Sequence, residues 1–249
     1  MLSASRSAKS LADAVLAVLL APTCAACDAP LDEPTRGAGC PACWASITPP
    51  PGPLCDTCGD VLPSWRTVSS LERRCARCRR LPRVISTGRA IAAYDGRLRD
   101  LLHALKYNGR RSLARPLAAL MARAGADVLH GADYAIPVPL HVIRHYRRGF
   151  NQAEDLARHL PVPVLRALRR TRRTATQTDL PEAQRHRNVK DAFRVTRRAR
   201  RYIKDAVIVL VDDVSTTGAT LDACARALLA AGAKEVRALT AARAASRVR

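Results

Sequence analysis

Eight of the nine cysteines form four CxxC pairs in the first third of the chain, and this pattern restricts the fold more than any other feature. The stretches between the pairs hold Pro, Gly and short polar runs, too little apolar material for a core of their own. Two thiolates at this spacing bind a zinc ion from one turn, and two pairs complete a tetrahedral site. The sequence therefore predicts two zinc ions with the ligands Cys24, Cys27, Cys40, Cys43, Cys55, Cys58, Cys75 and Cys78.

The order of the CxxC pairs along the chain indicates which pairs share a zinc ion. Sequential pairing is favoured, with the first two pairs on one ion and the last two on the other, and an interleaved arrangement stays open. Disulfides are the competing interpretation and belong to secreted domains. A redox-active CxxC is disfavoured because no βαβ pattern surrounds any pair. The ninth cysteine, Cys224, lies among alanines and leucines and is predicted to be a small buried residue.

The N-terminal stretch, residues 3–24, places basic residues ahead of an apolar run, as a signal peptide does. Asp13 interrupts that run, which is shorter than the roughly 20 residues that cross a bilayer. We predict a short amphipathic helix at residues 8–20 that packs on the domain, no membrane span and a cytoplasmic location.

The pattern changes at about residue 84, where short apolar runs begin to alternate with helical periods. The runs "RAIAAYD", "YAIPVPL", "AVIVLVD" and "EVRALTAA" predict strands, and the leucines from Leu98 to Leu105 share one helix face. This alternation predicts an α/β fold with an open parallel sheet flanked by helices. We therefore predict an N-terminal helix at 1–22, a small Cys-rich double zinc ribbon at 23–83 and a sheet domain at 84–249.

The segment "VIVLVDDVSTTGATL", residues 207–221, places two acids at the carboxyl end of a predicted strand. Ligands of open parallel sheets bind at that edge. The hydroxyl groups and the glycine that follow lead into a predicted helix, whose free amides favour phosphate. The segment is neither a P-loop nor a dinucleotide fingerprint. Because carboxylates accept hydrogen bonds from neighbouring sugar hydroxyls, the segment indicates a ribose 5-phosphate site.

This segment closely resembles the phosphoribosyl pyrophosphate (PRPP) motif of type I phosphoribosyltransferases. The segments "LHALKYNG", "IPVPLHVIRHYRRGFNQAEDLA" and "TATQTDLPEAQRHRNVKDAF" are similar to those of the ComF family, which joins cysteine ribbons to a phosphoribosyltransferase-like domain. The resemblance extends from Cys24 to about Ala242. It implies that the sheet domain has the type I phosphoribosyltransferase fold.

The resemblance also implies roles for individual residues. Asp212 and Asp213 would hold the ribose hydroxyls and help to position Mg²⁺ with PRPP. The 5-phosphate would lie in the loop formed by Ser215, Thr216, Thr217, Gly218, Ala219 and Thr220. Arg147, Arg148 and Gly149 match the loop that touches pyrophosphate. A mobile loop within residues 171–190 would close over PRPP with the cations Arg173, Arg185, Arg187 and Lys190.

Such a site would displace pyrophosphate at the anomeric carbon of PRPP, the reaction of a glycosyltransferase. Charge then moves onto the leaving group, so Arg148, Arg187 and Mg²⁺ would assist its departure while water is excluded. Together with Asp212 and Asp213, these arginines are the catalytic candidates.

The chain carries a formal net charge of +21, which one PRPP molecule does not explain. Between Arg166 and Lys204 there are 14 Lys or Arg against three acids, and residues 66–83 add seven arginines against Glu72. A basic excess of this kind favours a phosphate-bearing partner, and single-stranded DNA is long enough to contact both segments. The alternative is a solvated basic surface.

The ComF resemblance implies a link to natural competence, DNA uptake and other competence proteins. Three functions stay open on this basis: an active phosphoribosyltransferase on an unidentified base, a protein of that fold that handles DNA, and a PRPP-sensing regulator. The acid pair and the TTGAT loop favour PRPP binding in all three.

Overall fold

Four parallel strands form the central sheet. A computed structural model describes residues 2–62, 73–81, 83–140, 146, 148–171 and 192–244, with side chains of the first helix from residue 11 onward. The described residues contain six strands, four of them in this sheet: β1 (Gly88–Ala93), β2 (Tyr134–Pro137), β3 (Leu168–Arg170), β4 (Phe193–Val195), β5 (Val207–Ser215) and β6 (Glu235–Arg243). The sheet has the order β1-β6-β5-β2, and every neighbouring pair in it is parallel. The predicted open parallel α/β sheet is therefore confirmed.

Nine α-helices accompany the strands within the described ranges. They are α1 (Leu2–Leu20), α2 (Pro41–Ala45), α3 (Ala76–Arg80), α4 (Gly96–Tyr107), α5 (Ala114–Ala124), α6 (Ala126–Leu129), α7 (Gln152–Ala157), α8 (Arg200–Ile203) and α9 (Ala219–Leu229). Gly125 separates α5 from α6, which divides the helical stretch that follows Leu113 in the sequence.

The aliphatic run of β5 is buried because the strand is paired on both edges and covered on both faces. Val209 and Val211 pack in a core that includes leucines of α4 and α5. Ile208 and Leu210 pack in a second core with residues of α9. Successive side chains of a strand alternate between its faces. The alternation therefore continues into the two acids at the end of β5.

The strands β3 and β4 form a separate antiparallel pair that the sequence pattern did not predict in full. Each of these strands has only three residues, which is too short for an alternating pattern to be recognised in the sequence. The backbone N–H of Thr171 donates to the carbonyl of Ala192 at 2.8 Å, which brings the two sides of this segment together. The intervening residues 172–191, which hold most of the predicted mobile loop, lie outside the described residues.

The two cysteine ribbons repeat one local structure. In each, the first cysteine donates its backbone N–H to a carbonyl five residues later, from Cys24 to Ala29 and from Cys55 to Asp60. A short helix follows the third cysteine of each set, α2 in the first ribbon and α3 in the second. The shared hydrogen bonds show that both ribbons use the same turn.

One position of this turn needs a left-handed backbone. It is occupied by Asp28 in the first ribbon, with φ of 58°, and by Gly59 in the second, with φ of 75°. A side chain at Gly59 would place its Cβ 2.7 Å from the carbonyl oxygen of Gly88 at the start of β1. Aspartate tolerates this backbone where space exists, whereas the close approach to β1 leaves room only for glycine.

The N-terminal helix α1 is longer than the predicted 8–20 segment. It contacts the turn at Pro34–Arg36, where the Asp13 carboxylate accepts the Thr35 N–H at 2.8 Å. Leu11 and Val18 are exposed, so only part of the helix packs on the domain. Among the described residues, the structure contains no helix with the length and apolar character required for a membrane span.

Candidate functional site

The eight predicted ligands form two four-cysteine clusters. The first contains the cysteines of the first two CxxC pairs and the second those of the last two, and the sulfur atoms of each cluster lie within 4.8 Å of one another. The Sγ atoms of Cys27 and Cys40 are 3.7 Å apart, as are those of Cys58 and Cys75. Tetrahedral ligation with Zn–S bonds of about 2.3 Å requires sulfur separations of about 3.8 Å. The clusters therefore fit zinc, in the sequential pairing that the spacing favours.

Backbone amides stabilise a thiolate in each cluster. The N–H of Cys40 donates to the Sγ of Cys24, and the N–H of Cys75 donates to the Sγ of Cys55, both at 3.3 Å. Burial opposes ionisation of Cys24, but backbone hydrogen bonds from Cys40, Ala26 and Cys27 lower the pKa of its thiol to about 6. Zinc binds the thiolate form, so the turn is arranged for a metal.

The two acids at the end of β5 have different surroundings. The Oδ2 atom of Asp213 accepts from Lys106 Nζ at 3.0 Å and from Gln152 Nε2 at 2.9 Å. Its Oδ1 atom accepts the Val214 N–H, and Oδ1 of Asp212 accepts the Asp213 N–H at 2.9 Å. Asp213 is buried and already satisfied by an ion pair and hydrogen bonds, whereas Asp212 is partly exposed.

Electrostatics separate the two acids further. Burial and the adjacent negative charge of Asp213 raise the pKa of Asp212 to about 8. Burial alone would lower the pKa of Lys106, but the charge of Asp213 outweighs it and the pKa of this ammonium group is raised. Lys106 and Asp213 thus form a charged pair. Asp212 is left as the acid whose charge depends on a ligand, a metal ion or pH.

The loop after the acids leads directly into α9. Gly218 has φ of 76° and precedes the first helical residue, and Ala219 donates its N–H to Thr217 Oγ1 at 3.3 Å. Thr216 is exposed and Thr220 is partly exposed. Ser215 is buried, and its Oγ has no hydrogen-bond partner among the described residues. The loop thus presents a helix start and hydroxyl groups beside Asp212.

Of the predicted pyrophosphate residues, the structure describes Arg148 and Gly149. The guanidinium carbon of Arg148 lies 4.8 Å from the ring centroid of Tyr107, the residue after Lys106. Gly149 has φ of 73°. Arg148 therefore lies near the Lys106 end of α4. Arg147 and the cations of the predicted mobile loop, Arg173, Arg185, Arg187 and Lys190, lie outside the described residues.

Four polar residues of this region were not singled out by the sequence analysis. Lys106 and Gln152 bind Asp213, and the guanidinium groups of Arg77 and Arg83 reach the carbonyl of Thr217. The sequence could have indicated Lys106, because it lies four residues after Leu102 and is therefore a charged residue on the apolar face of α4. Arg77 and Arg83 lie among many other arginines in a basic segment, so the sequence alone does not single them out as contacts of Thr217.

Comparison with known proteins assigns both parts of the chain. A double zinc ribbon domain matches residues 15–79, and a phosphoribosyl transferase domain matches residues 139–249. DNA utilization protein YhgH of Shigella flexneri is 37% identical over 196 residues, which cover 74% of this chain and 81% of that protein. Competence protein F of Haemophilus influenzae is 31% identical, covering 74% and 82%. Competence protein ComFC of Bacillus subtilis is 26% identical, covering 78% of each chain.

We predict two tightly bound zinc ions per chain, because each cluster supplies four thiolates to one tetrahedral site. Elemental analysis of protein purified without chelator measures the count. Cys43→Ser should reduce it to one, whereas Cys224→Ser should leave it at two, because Cys224 belongs to neither cluster. One ion in the unmodified protein would mean that a cluster is not a metal site.

We also predict that Asp212 makes the ligand-free protein less stable as pH rises from about 4 to about 8. Across this window the folded carboxyl holds a proton that the unfolded one has lost. The loss should be on the order of 2 to 4 kcal/mol, because each unit of pKa is worth about 1.4 kcal/mol and the side chain is partly exposed. Urea denaturation at pH 4.5 and pH 8.5 measures it.

In that experiment Asp212→Asn should flatten the pH dependence. Asp205→Asn is the matched control, because it makes the same change of acid to amide at an exposed position. Equal pH profiles for the two variants would contradict the raised pKa of Asp212.

Proposed function

Because the chain belongs to the ComF family, we propose that it is a phosphoribosyltransferase-like protein that binds PRPP and acts in competence and the handling of single-stranded DNA. Relatives named for competence and DNA utilization support the second part. The arrangement of the acid pair and the phosphate loop at one edge of the sheet supports the first. That arrangement is the observation that carries the proposal.

The phosphate loop suits a 5-phosphate for geometric reasons. The first turn of α9 leaves backbone amides without partners inside the helix, and the helix dipole favours an anion there. Gly218 permits the left-handed backbone at which the chain turns into the helix. The hydroxyls of Thr216 and Thr220 add donors at the accessible side.

In this proposal the two acids have different roles, one structural and one in ligand binding. Asp213 is held by Lys106 and Gln152, so it fixes the end of β5 and sets the local charge. Asp212 lies at the accessible side, where its carboxylate can accept from the ribose hydroxyls. Mg²⁺ bound with PRPP would neutralise pyrophosphate charge, and the carboxylate of Asp212 is a suitable oxygen ligand for it. Binding of either partner favours the ionised acid.

Arg148 extends this site toward pyrophosphate. It lies near Tyr107, and the neighbouring Lys106 contacts Asp213, so the cation lies near the acid edge of the sheet. A guanidinium there would stabilise the charge that develops on departing pyrophosphate. A pyrophosphate-release assay with a panel of bases distinguishes transfer from binding alone, since only a transferase releases pyrophosphate when a base is added.

Single-stranded DNA is proposed to bind the basic surface around α8. Its four arginines are exposed and lie on the turn and helix that precede β5: Arg197, Arg198, Arg200 and Arg201. Tyr202 is 40% exposed beside them, with the guanidinium carbon of Arg201 4.7 Å from its ring centroid, so a base could stack on this ring by displacing Arg201. With only 4% aromatic residues in the chain, phosphate contacts should dominate and sequence preference should be weak.

We predict that Asp212→Asn combined with Asp213→Asn abolishes PRPP binding while the fold is retained. The Asp212 carboxylate would lose its bonds to two ribose hydroxyls, each worth about 1.5 to 3 kcal/mol, so affinity should fall by more than about 100-fold. Titration calorimetry with Mg²⁺ and PRPP is the measurement, with circular dichroism as the check on folding. Unchanged affinity would refute the ribose assignment.

We predict that binding of labelled single-stranded DNA weakens steeply with salt, by about 0.7 in the log–log slope for each phosphate contact. Fluorescence anisotropy at several salt concentrations measures the slope. Charge reversal at the four arginines of the α8 surface should flatten it.

A matched pair of variants tests whether the effect is local. Arg197→Glu with Arg198→Glu is compared with Arg115→Glu with Arg123→Glu, which changes the net charge equally on the exposed side of α5. Equal slopes for both pairs, or a flat slope for the unmodified protein, would exclude a DNA site at α8.

A further inference from the structure

The second ribbon contacts the phosphate loop directly. Arg77, which lies in α3 between the zinc ligands Cys75 and Cys78, donates from Nη2 to the carbonyl oxygen of Thr217 at 3.1 Å. Arg83 donates from Nη1 to the same oxygen at 2.8 Å. A carbonyl oxygen has two lone pairs, so both guanidinium groups can be accepted together. Two charged donors thus hold one peptide group of the loop from outside.

The peptide group that the two arginines hold joins Thr217 to Gly218, the residue that precedes α9. In a planar trans peptide the C=O of one residue and the N–H of the next point in opposite directions. When the carbonyl of Thr217 is fixed toward the ribbon, the N–H of Gly218 is directed to the opposite side of the loop. That N–H adjoins the first turn of α9, where an anion is favoured.

Arg83 also fixes the start of α9. Its Nε lies 2.7 Å from Oδ2 of Asp222, and both side chains are about 95% buried. A side chain at Gly218 would collide with the guanidinium of Arg83, so glycine is needed for this contact as well as for its backbone angle. Removing either partner of a buried ion pair is strongly unfavourable, which keeps Arg83 in place.

The two ribbons differ in what they touch. The second ribbon is joined to the end of β6 by an ion pair between Asp60 and Arg243, whose Nη2 lies 3.0 Å from Oδ2. The first ribbon contacts α4, where Arg97 donates to the carbonyl of Ala26 at 2.7 Å. Only the second cluster, among the described contacts, is linked to the phosphate loop.

Zinc in the second cluster would determine the position of Arg77. The helix α3 has five residues, too few to be stable alone, and begins immediately after Cys75. Ligation of Cys75 and Cys78 is therefore what orders the segment that carries Arg77.

We infer that Arg77 and Arg83 are positioning residues of the phosphate loop, and that zinc in the second cluster, but not in the first, maintains the loop in its phosphate-binding form. The inference rests on the proposed function for its ligand, PRPP. The state of the loop itself is measurable without any ligand.

The first test compares Arg77→Ala with Arg79→Ala in the full zinc-loaded protein. Both remove one arginine from α3, but Arg79 is exposed and Arg77 reaches Thr217. Hydrogen exchange is measured without ligand at the amides of Ala219 and Asp222, which are bonded to Thr217 Oγ1 and to the Gly218 carbonyl. Exchange should accelerate about tenfold in Arg77→Ala and less than twofold in Arg79→Ala. The amide of Ala230, at the far end of α9, should not change.

The second test compares Cys78→Ser with Cys43→Ser, each of which should leave one zinc ion per chain. Cys78→Ser should reproduce the faster exchange and weaken PRPP binding about tenfold in calorimetry, while Cys43→Ser should change neither by more than twofold. Arg77→Ala should also weaken PRPP binding. Arg77→Lys, which keeps one cationic donor, should weaken it less.

Equal exchange for Arg77→Ala and Arg79→Ala would overturn the inference, whatever the ligand data show. If Cys78→Ser does not fold, the arginine pair decides alone. If the unmodified protein does not bind PRPP, the proposed function fails, and the exchange comparison still decides whether the second ribbon holds the loop.

Discussion

The pairing of β5 with a parallel strand on each side is the constraint on which the fold and the site depend. β5 is bonded on both edges and covered on both faces, and consecutive residues at its end point to opposite sides of the sheet because side chains alternate along a strand. Asp213 meets Lys106 and Gln152, whereas Asp212 lies close enough to Cys224 of α9 to raise the pKa of that buried thiol further. One acid is neutralised by the protein, and the other is left to a ligand.

Metal ligation does for the ribbons what an apolar core does for the sheet domain. Each ribbon cluster is a small set of buried cysteines with one leucine, Leu31 in the first and Leu62 in the second. So little apolar surface cannot offset the entropy of ordering the turns, and the metal–thiolate bonds must supply the difference. The same turn is used twice, and the outer surface of each ribbon decides its contact. Gly59 lets the second ribbon approach β1, which Asp28 at the matching position of the first ribbon would not.

Much of the fold and part of the site could be predicted from the sequence, because those features are local. The CxxC spacing gave the ligands, the apolar runs gave the parallel strands, and the strand-to-helix order located the acids at the carboxyl edge. Lys106 and Arg83 were not predicted, because their roles arise from contacts between distant parts of the chain; Arg83 and Thr217 are 134 residues apart. The three-residue strand β4 is too short for its period to be read, and its pairing with β3 depends on tertiary packing.

Not all of the arginines that make the chain basic are exposed to a binding partner. Arg77 and Arg83 belong to the basic segment at residues 66–83, yet both point into the molecule, and Arg83 is neutralised by Asp222. A formal count therefore overstates the positive field of that segment. The arginines around α8 are exposed and lie before the start of β5, while the phosphate loop lies after its end, about 26 Å away for nine extended residues. A polyanion drawn to α8 would thus leave the opposite edge of the sheet accessible to a small phosphorylated ligand, so the two binding functions need not compete for one surface.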